Sequence, residues 1–205
     1  MANPDIVLHG GERSGHTHRV ALLLNMLGLP YRFAPTPPET RRTEAFLRLN
    51  PLGQIPVLQD GPTVLADSSA IMVYLVKRYA PGSPWLPDEP VGAARVQRWL
   101  SIAAGELRHG PAMARLMALW GAPGDRAQVD AISSRVLKFM NAHLEQRSFL
   151  ALDHPTIADL ACYAYVAHAP EGGVSLAPYP AVQAWLRRVE QLPNFTAMPA
   201  SPPLG

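Results

Sequence analysis

The hydrophobic pattern of this 205-residue chain changes character near residue 80. Before that point, short apolar runs alternate with helical ones. Residues 5 to 9, DIVLH, read as a short buried strand. A loop, GGERSG, leads into a nearly all-apolar helix from about Thr17 to Leu27, closed by Gly28 and Pro30. Tyr31 to Ala34 reads as a second strand, and Thr36 to Leu49 as polar, Arg-rich loop and helix. Residues 55–58 and 63–66 form a hairpin around Asp60-Gly61-Pro62. A helix from Ser69 to Tyr79 follows, with Ile71, Tyr74, Leu75 and Arg78 at helical spacing. The first 80 residues therefore read β-α-β-α-β-β-α.

Residues 81–90, PGSPWLPDEP, hold four prolines in ten and read as a linker. Every later apolar run has helical period. One helix spans Val91 to about His109, and Gly110-Pro111 interrupts it. Ala112 to Trp120 continues it with a kink. A long helix covers Asp125 to Gln146, another starts after Pro155, and the last spans Ala181 to Gln191. The domains predicted are thus 1–80, α/β, and 91–205, all-α, with a site expected at their junction.

Composition removes several classes. Apolar residues make up 48% of the chain and charged residues 17%, the balance of a globular protein. No apolar run approaches the length of about 20 residues that spans a membrane. The start, MANPDIVLHG, lacks the charged and apolar regions of a signal peptide. A net charge of +2, with no basic run carrying interleaved aromatics, gives no basis for a nucleic-acid partner. The single cysteine, Cys162, excludes an internal disulfide and fits a reducing cytoplasm. Within its apolar helix it reads as a small core residue. No HExxH or CxxC occurs, and His16 and His18 are two apart and face apart on a helix, so no metal site is read.

Pro56 is the anomaly. It stands in the run Ile55 to Leu58, although proline cannot donate to a sheet ladder. The stretches "NPLGQIPVL", "ADSSAIMVYL" and "HPTIADLACYAYV" together carry a resemblance that spans essentially the whole chain. The sequence resembles the cytosolic glutathione S-transferases, whose fold is an α/β thioredoxin-like domain followed by an all-helical domain. The resemblance implies a cis Ile55-Pro56 bond, with the Ile55 backbone open to the cysteinyl unit of glutathione as to an added strand. It implies that Ser68 holds the γ-glutamyl carboxylate and Asp67 the ammonium. A helix N-terminus attracts such a carboxylate, and simple helix capping is the alternative for either residue. Gln54 is a further candidate for the same ligand.

The resemblance also implies a residue that stabilises the glutathione thiolate. "RSGHTHRVALLLNMLGLPY" is similar to the zeta-type stretch, with Ser14 at the catalytic serine. The zeta pattern continues with Ser and Cys, whereas this chain has Gly15 and His16. Thr17 is another hydroxyl donor nearby. The order of preference is Ser14, Thr17, His16. Arg108 and Arg115, around the Gly110-Pro111 break, are candidates for the second substrate, with solvated surface charge as the alternative. Thr156-Ile-Ala-Asp159 is a capping box with a role in folding. The activity implied is transfer of glutathione thiolate to a small electrophile by a cytoplasmic homodimer. Glutathione-dependent reduction, peroxidation or isomerisation, and non-catalytic binding, stand as alternatives.

Overall fold

A computed structural model describes residues 5–201. Its described residues form two compact units, one of 5–83 with 193–199 and one of 84–192 with 200–201.

The first unit is a four-stranded mixed sheet in the order β2-β1-β3-β4. β1 (Ile6–Gly10) runs parallel to β2 (Arg32–Pro35), and α1 (Gly15–Met26) makes the crossover that a parallel pair requires. Leu27-Gly28-Leu29 closes α1 as a Schellman motif: Gly28 N donates to Asn25 O and Leu29 N to Leu24 O. Gly28 has φ +65°, the left-handed value such an end favours. β3 (Val57–Asp60) and β4 (Thr63–Ala66) form the antiparallel hairpin, with Asp60 opposite Thr63. A short 3₁₀ turn (Thr40–Arg42) and α2 (Glu44–Leu49) precede the hairpin, and α3 (Ser68–Tyr79) follows it. Val20, Leu22, Leu23 and Leu24 of α1 and Ile71, Met72, Leu75 and Val76 of α3 are buried, where the two helices pack together. Asp60 Oδ2 accepts from Tyr74 OH at 2.8 Å and Tyr79 OH at 2.5 Å, pinning α3 to the end of β3.

Two features of this unit differ from the sequence reading. The strand begins at Val57, so Pro56 stands just before the ladder rather than within it. The segment 193–199 belongs here: His18 Nε2 bonds Thr196 O at 2.8 Å, and Asn25 Nδ2 donates to Thr196 Oγ1 at 3.2 Å. It has no apolar period of its own that would advertise this return.

The second unit is helical. Pro90, placed in the linker by composition, is the first residue of α4 (Pro90–Ala104), because a missing N–H costs nothing at that position. Glu89 caps this helix by accepting from the Val91 and Gly92 amides. The helix expected to reach His109 stops at Gly105, whose ψ of −97° is not helical. A single turn, α5 (Glu106–His109), then leads to the expected break at Gly110 and to α6 (Pro111–Trp120). α7 (Arg126–Leu144), α8 (Ile157–Ala167) and α9 (Pro180–Glu190) follow. All residues of α8 from Ile157 to Val166 are buried. Its capping box forms as read: Asp159 Oδ2 accepts from Thr156 N at 2.9 Å and Thr156 Oγ1 at 3.2 Å. Asp159 Oδ1 also accepts from Leu150 N and from Trp185 Nε1, each at 2.9 Å. Those four donors satisfy a carboxyl whose burial pushes its pKa up.

A second 3₁₀ turn, Ala169–Gly172, lies against α6 so closely that a Cβ on Gly172 would sit 2.5 Å from Arg115 N. No helix among the described residues is long and apolar enough to cross a membrane.

Candidate active site

Gly10 and Gly11 end β1 and begin the turn into α1. A Cβ on Gly10 would lie 2.2 Å from Thr17 Cγ2, so the turn fits on the helix only where there is no side chain. A Cβ on Gly11 would lie 3.4 Å from Ile55 Cδ1 and 3.8 Å from Ser14 Cβ. This turn thus brings Ser14 and Ile55 together, although they are 41 positions apart in the chain.

Ser14 is the N-cap of α1, and its Oγ accepts from Thr17 N at 3.3 Å. The side chain is half-buried. Its oxygen is bonded to the helix, but the hydroxyl hydrogen is not used by that bond. Thr17 is placed otherwise. It is 2% exposed, beneath Gly10, and its Oγ1 accepts from Gly11 N at 3.3 Å. That position suits holding the turn, not meeting a ligand. His16 points to a different helix: its Nδ1 lies 3.1 Å from Ser68 Oγ at the start of α3.

Ser68 is 2% exposed and is the first residue of α3. Besides His16, it meets Arg19 Nη1 at 3.4 Å. Arg19 is itself 1% exposed, a cation inside the helix that the sequence reading treated as nearly all apolar. Its signal in the sequence is a single charged residue directly before the apolar run "VALLL". Asp67 caps α3: its Oδ1 accepts from Ser69 N at 2.9 Å and Ala70 N at 3.0 Å. The side chain stays exposed, and the backbone holds φ +72°, uncommon outside glycine. Such conformations concentrate at ligand-contacting positions.

The Ile55-Pro56 bond is cis. The β1–β3 ladder ends at the His9–Val57 pair, so Ile55 lies beyond the pairing. Gln54 is exposed, and its carbonyl accepts from Asn50 Nδ2 at 2.9 Å, which fixes the approach to Pro56.

In the second unit, Arg108 is half-buried on α5. Arg115 carries no solvated surface charge: it is 3% exposed, donates through Nε to Glu171 Oε2 at 2.6 Å and through Nη2 to Ser201 Oγ at 3.0 Å. A guanidinium so deeply desolvated is kept in place by a carboxylate partner. Cys162 is buried, as read.

The first unit thus sets two helix N-termini, a glycine turn, a hydroxyl at each helix start and an unpaired strand end around one point, an arrangement suited to an anionic peptide. Comparison with known proteins gives this arrangement a family. Residues 8–84 match the glutathione S-transferase N-terminal domain and residues 124–193 the C-terminal domain. The chain is 34% identical to glutathione S-transferase 3 of Zea mays over 96% of each chain. The crystal structure of a glutathione S-transferase from Pseudomonas fluorescens superposes with a TM-score of 0.88 at 35% identity, covering 94% of this chain and 98% of that one. A glutathione transferase homologue from Drosophila mojavensis, solved with bound glutathione, gives a TM-score of 0.83 at 29% identity, covering 93% and 89%. The chain belongs to the glutathione S-transferase family.

Proposed function

We propose that this chain is a glutathione transferase in which Ser14 stabilises the thiolate and α3 anchors the γ-glutamyl end. A free thiol titrates near 8.5, so only a few per cent is thiolate at pH 7. Turnover at neutral pH therefore needs a donor to the sulfur and positive potential. The head of α1 supplies the potential. Ser14 supplies the donor: with its oxygen accepting from Thr17 N, its hydrogen is left for an outside acceptor. A serine is far too weak a base to take the thiol proton, which passes to solvent. The thiolate then forms the carbon–sulfur bond with the electrophile, which either releases its leaving group as an anion to solvent or, if it is an activated alkene or an epoxide, takes the electron pair and then a proton from solvent. The Ile55 backbone, beyond the ladder, pairs with the cysteinyl unit. The Ser68 hydroxyl and amide take the γ-glutamyl carboxylate, and the second oxygen of Asp67 takes the ammonium. The protein acts as a homodimer, a reading the family supports and light scattering would test.

The observation that carries this reading is the Ser14 cap bond, set beside Ile55 across Gly11. Calorimetric titration with glutathione tests binding. The thiolate absorbance of the complex against pH then tests Ser14. A bond to a charged sulfur is worth about 1.5–3 kcal/mol, so Ser14→Ala should raise the bound thiol's pKa by about one to two pH units. Glutathione affinity should change little. An unmoved curve removes Ser14 from the chemistry, and a complex with no thiolate near neutral pH removes the transferase reading.

A further inference from the structure

Ser68 is bonded in a way that makes its proton conditional. Its hydroxyl meets Arg19 Nη1 at 3.4 Å and His16 Nδ1 at 3.1 Å. A guanidinium only donates, so Ser68 Oγ accepts from Arg19. The hydroxyl has one hydrogen to give. When His16 Nδ1 is bare, that hydrogen goes to the imidazole. When Nδ1 carries a proton, His16 donates, and the serine hydrogen is released toward a third group.

We propose that His16 is a positioning residue that aims the Ser68 hydroxyl at the carboxylate of the bound γ-glutamyl group. The proposal rests on the assignment of Ser68 to that carboxylate made above. With both His16 and Arg19 donating, the Ser68 oxygen is fully used and its hydrogen has only the ligand to meet. An anionic ligand favours this arrangement over the one in which Ser68 donates to the ring, so binding selects the Nδ1–H form of His16. The same bond ties the first turn of α1 to the first residue of α3. His16 therefore serves the carboxylate end of glutathione, while Ser14, two residues earlier, serves the sulfur.

The test is a double-mutant cycle on the affinity for S-methylglutathione, which has no thiol to titrate, measured by calorimetry. His16→Leu should weaken binding about two- to tenfold in the otherwise native protein, the net range of one hydrogen bond. It should add nothing in the Ser68→Ala background. His16→Asn, which places an amide nitrogen near the Nδ1 position, should recover most of the loss. The thiolate curve of bound glutathione should not move in His16→Leu. Equal weakening by His16→Leu in both backgrounds overturns the proposal, as does no weakening in either or a shifted thiolate curve. If Ser68→Ala alone binds S-methylglutathione like the native protein, the Ser68 assignment fails and the proposal with it. A weak Ser68→Ala without coupling leaves that assignment standing and removes only His16. The cycle runs with His16→Ala if the leucine variant does not fold.

Discussion

Replacing Glu171 by Gln removes the anion of the second unit's buried charge pair. Arg115 Nε donates to Glu171 Oε2 at 2.6 Å, and the two side chains keep 4% and 18% of their surface. Glu171 Oε1 accepts from His168 Nδ1 at 2.7 Å and from Ser201 N at 3.2 Å. Burial alone would raise this carboxyl's pKa. The bonds from Arg115, His168 and Ser201 outweigh it and hold the value at about 2, against an ordinary 4.5. At about 1.36 kcal/mol per pH unit, the gap corresponds to about 3 kcal/mol. Solvent reaches part of Glu171 and screens the pair, which brings the expected loss to about 2 kcal/mol. For a chain of this length that lowers the melting temperature by about 4–8 °C.

The pH dependence has a definite sign. The folded pKa is depressed, so the contribution is complete above about 4.5 and fades as pH falls toward about 2. Denaturation of the native protein and Glu171→Gln at pH 7, 5.5, 4 and 3 measures this. The difference should be full at the first two values and shrink through the last two. Glu44→Gln is the control: its Arg48 partner is 2.7 Å away, but the pair keeps 66% and 90% of its side-chain surface, so the effect should stay below about 0.5 kcal/mol. A Glu171→Gln difference no larger than the control's at pH 7, or one undiminished at pH 3, refutes the reasoning.

Ser68→Ala and Thr156→Ala should separate. The first weakens glutathione binding with about 1 kcal/mol or less of lost stability, and the second costs about 1–2 kcal/mol through the cap and leaves calorimetric affinity intact. Asp67→Asn keeps a capping oxygen and tolerates the positive φ, so the melting temperature should hold while affinity falls at most about fivefold. Unchanged affinity would reduce Asp67 to a cap. Gly172→Ala places a Cβ 2.5 Å from Arg115 N, which is backbone and does not rotate away. It should cost about 3 kcal/mol or more in chemical denaturation, and a near-native midpoint would contradict the packing of the 3₁₀ turn on α6.

The element order of the first unit, the switch from mixed to helical architecture and the cap of α8 are legible in the sequence. These are local matters: apolar period, capping side chains and turn glycines act over a few residues, so they are legible in one dimension. Thr156 is legible from its capping box, whereas Ser14 and Asp67 are legible through the family resemblance, and both prove to cap the helices they precede. What those residues face depends on tertiary contacts. Thr17 and His16 stand side by side in the chain, yet one lies beneath Gly10 and the other reaches a serine 52 residues away. Arg19 and Arg115 look like ordinary surface cations until burial removes their water and gives them Ser68 and Glu171. The break at Gly105 and the return of residues 193–199 to the first unit were likewise invisible, because neither has a local signature. Long-range partners depend on which faces meet when the core closes, and a single chain of letters records that only through the fold it reaches.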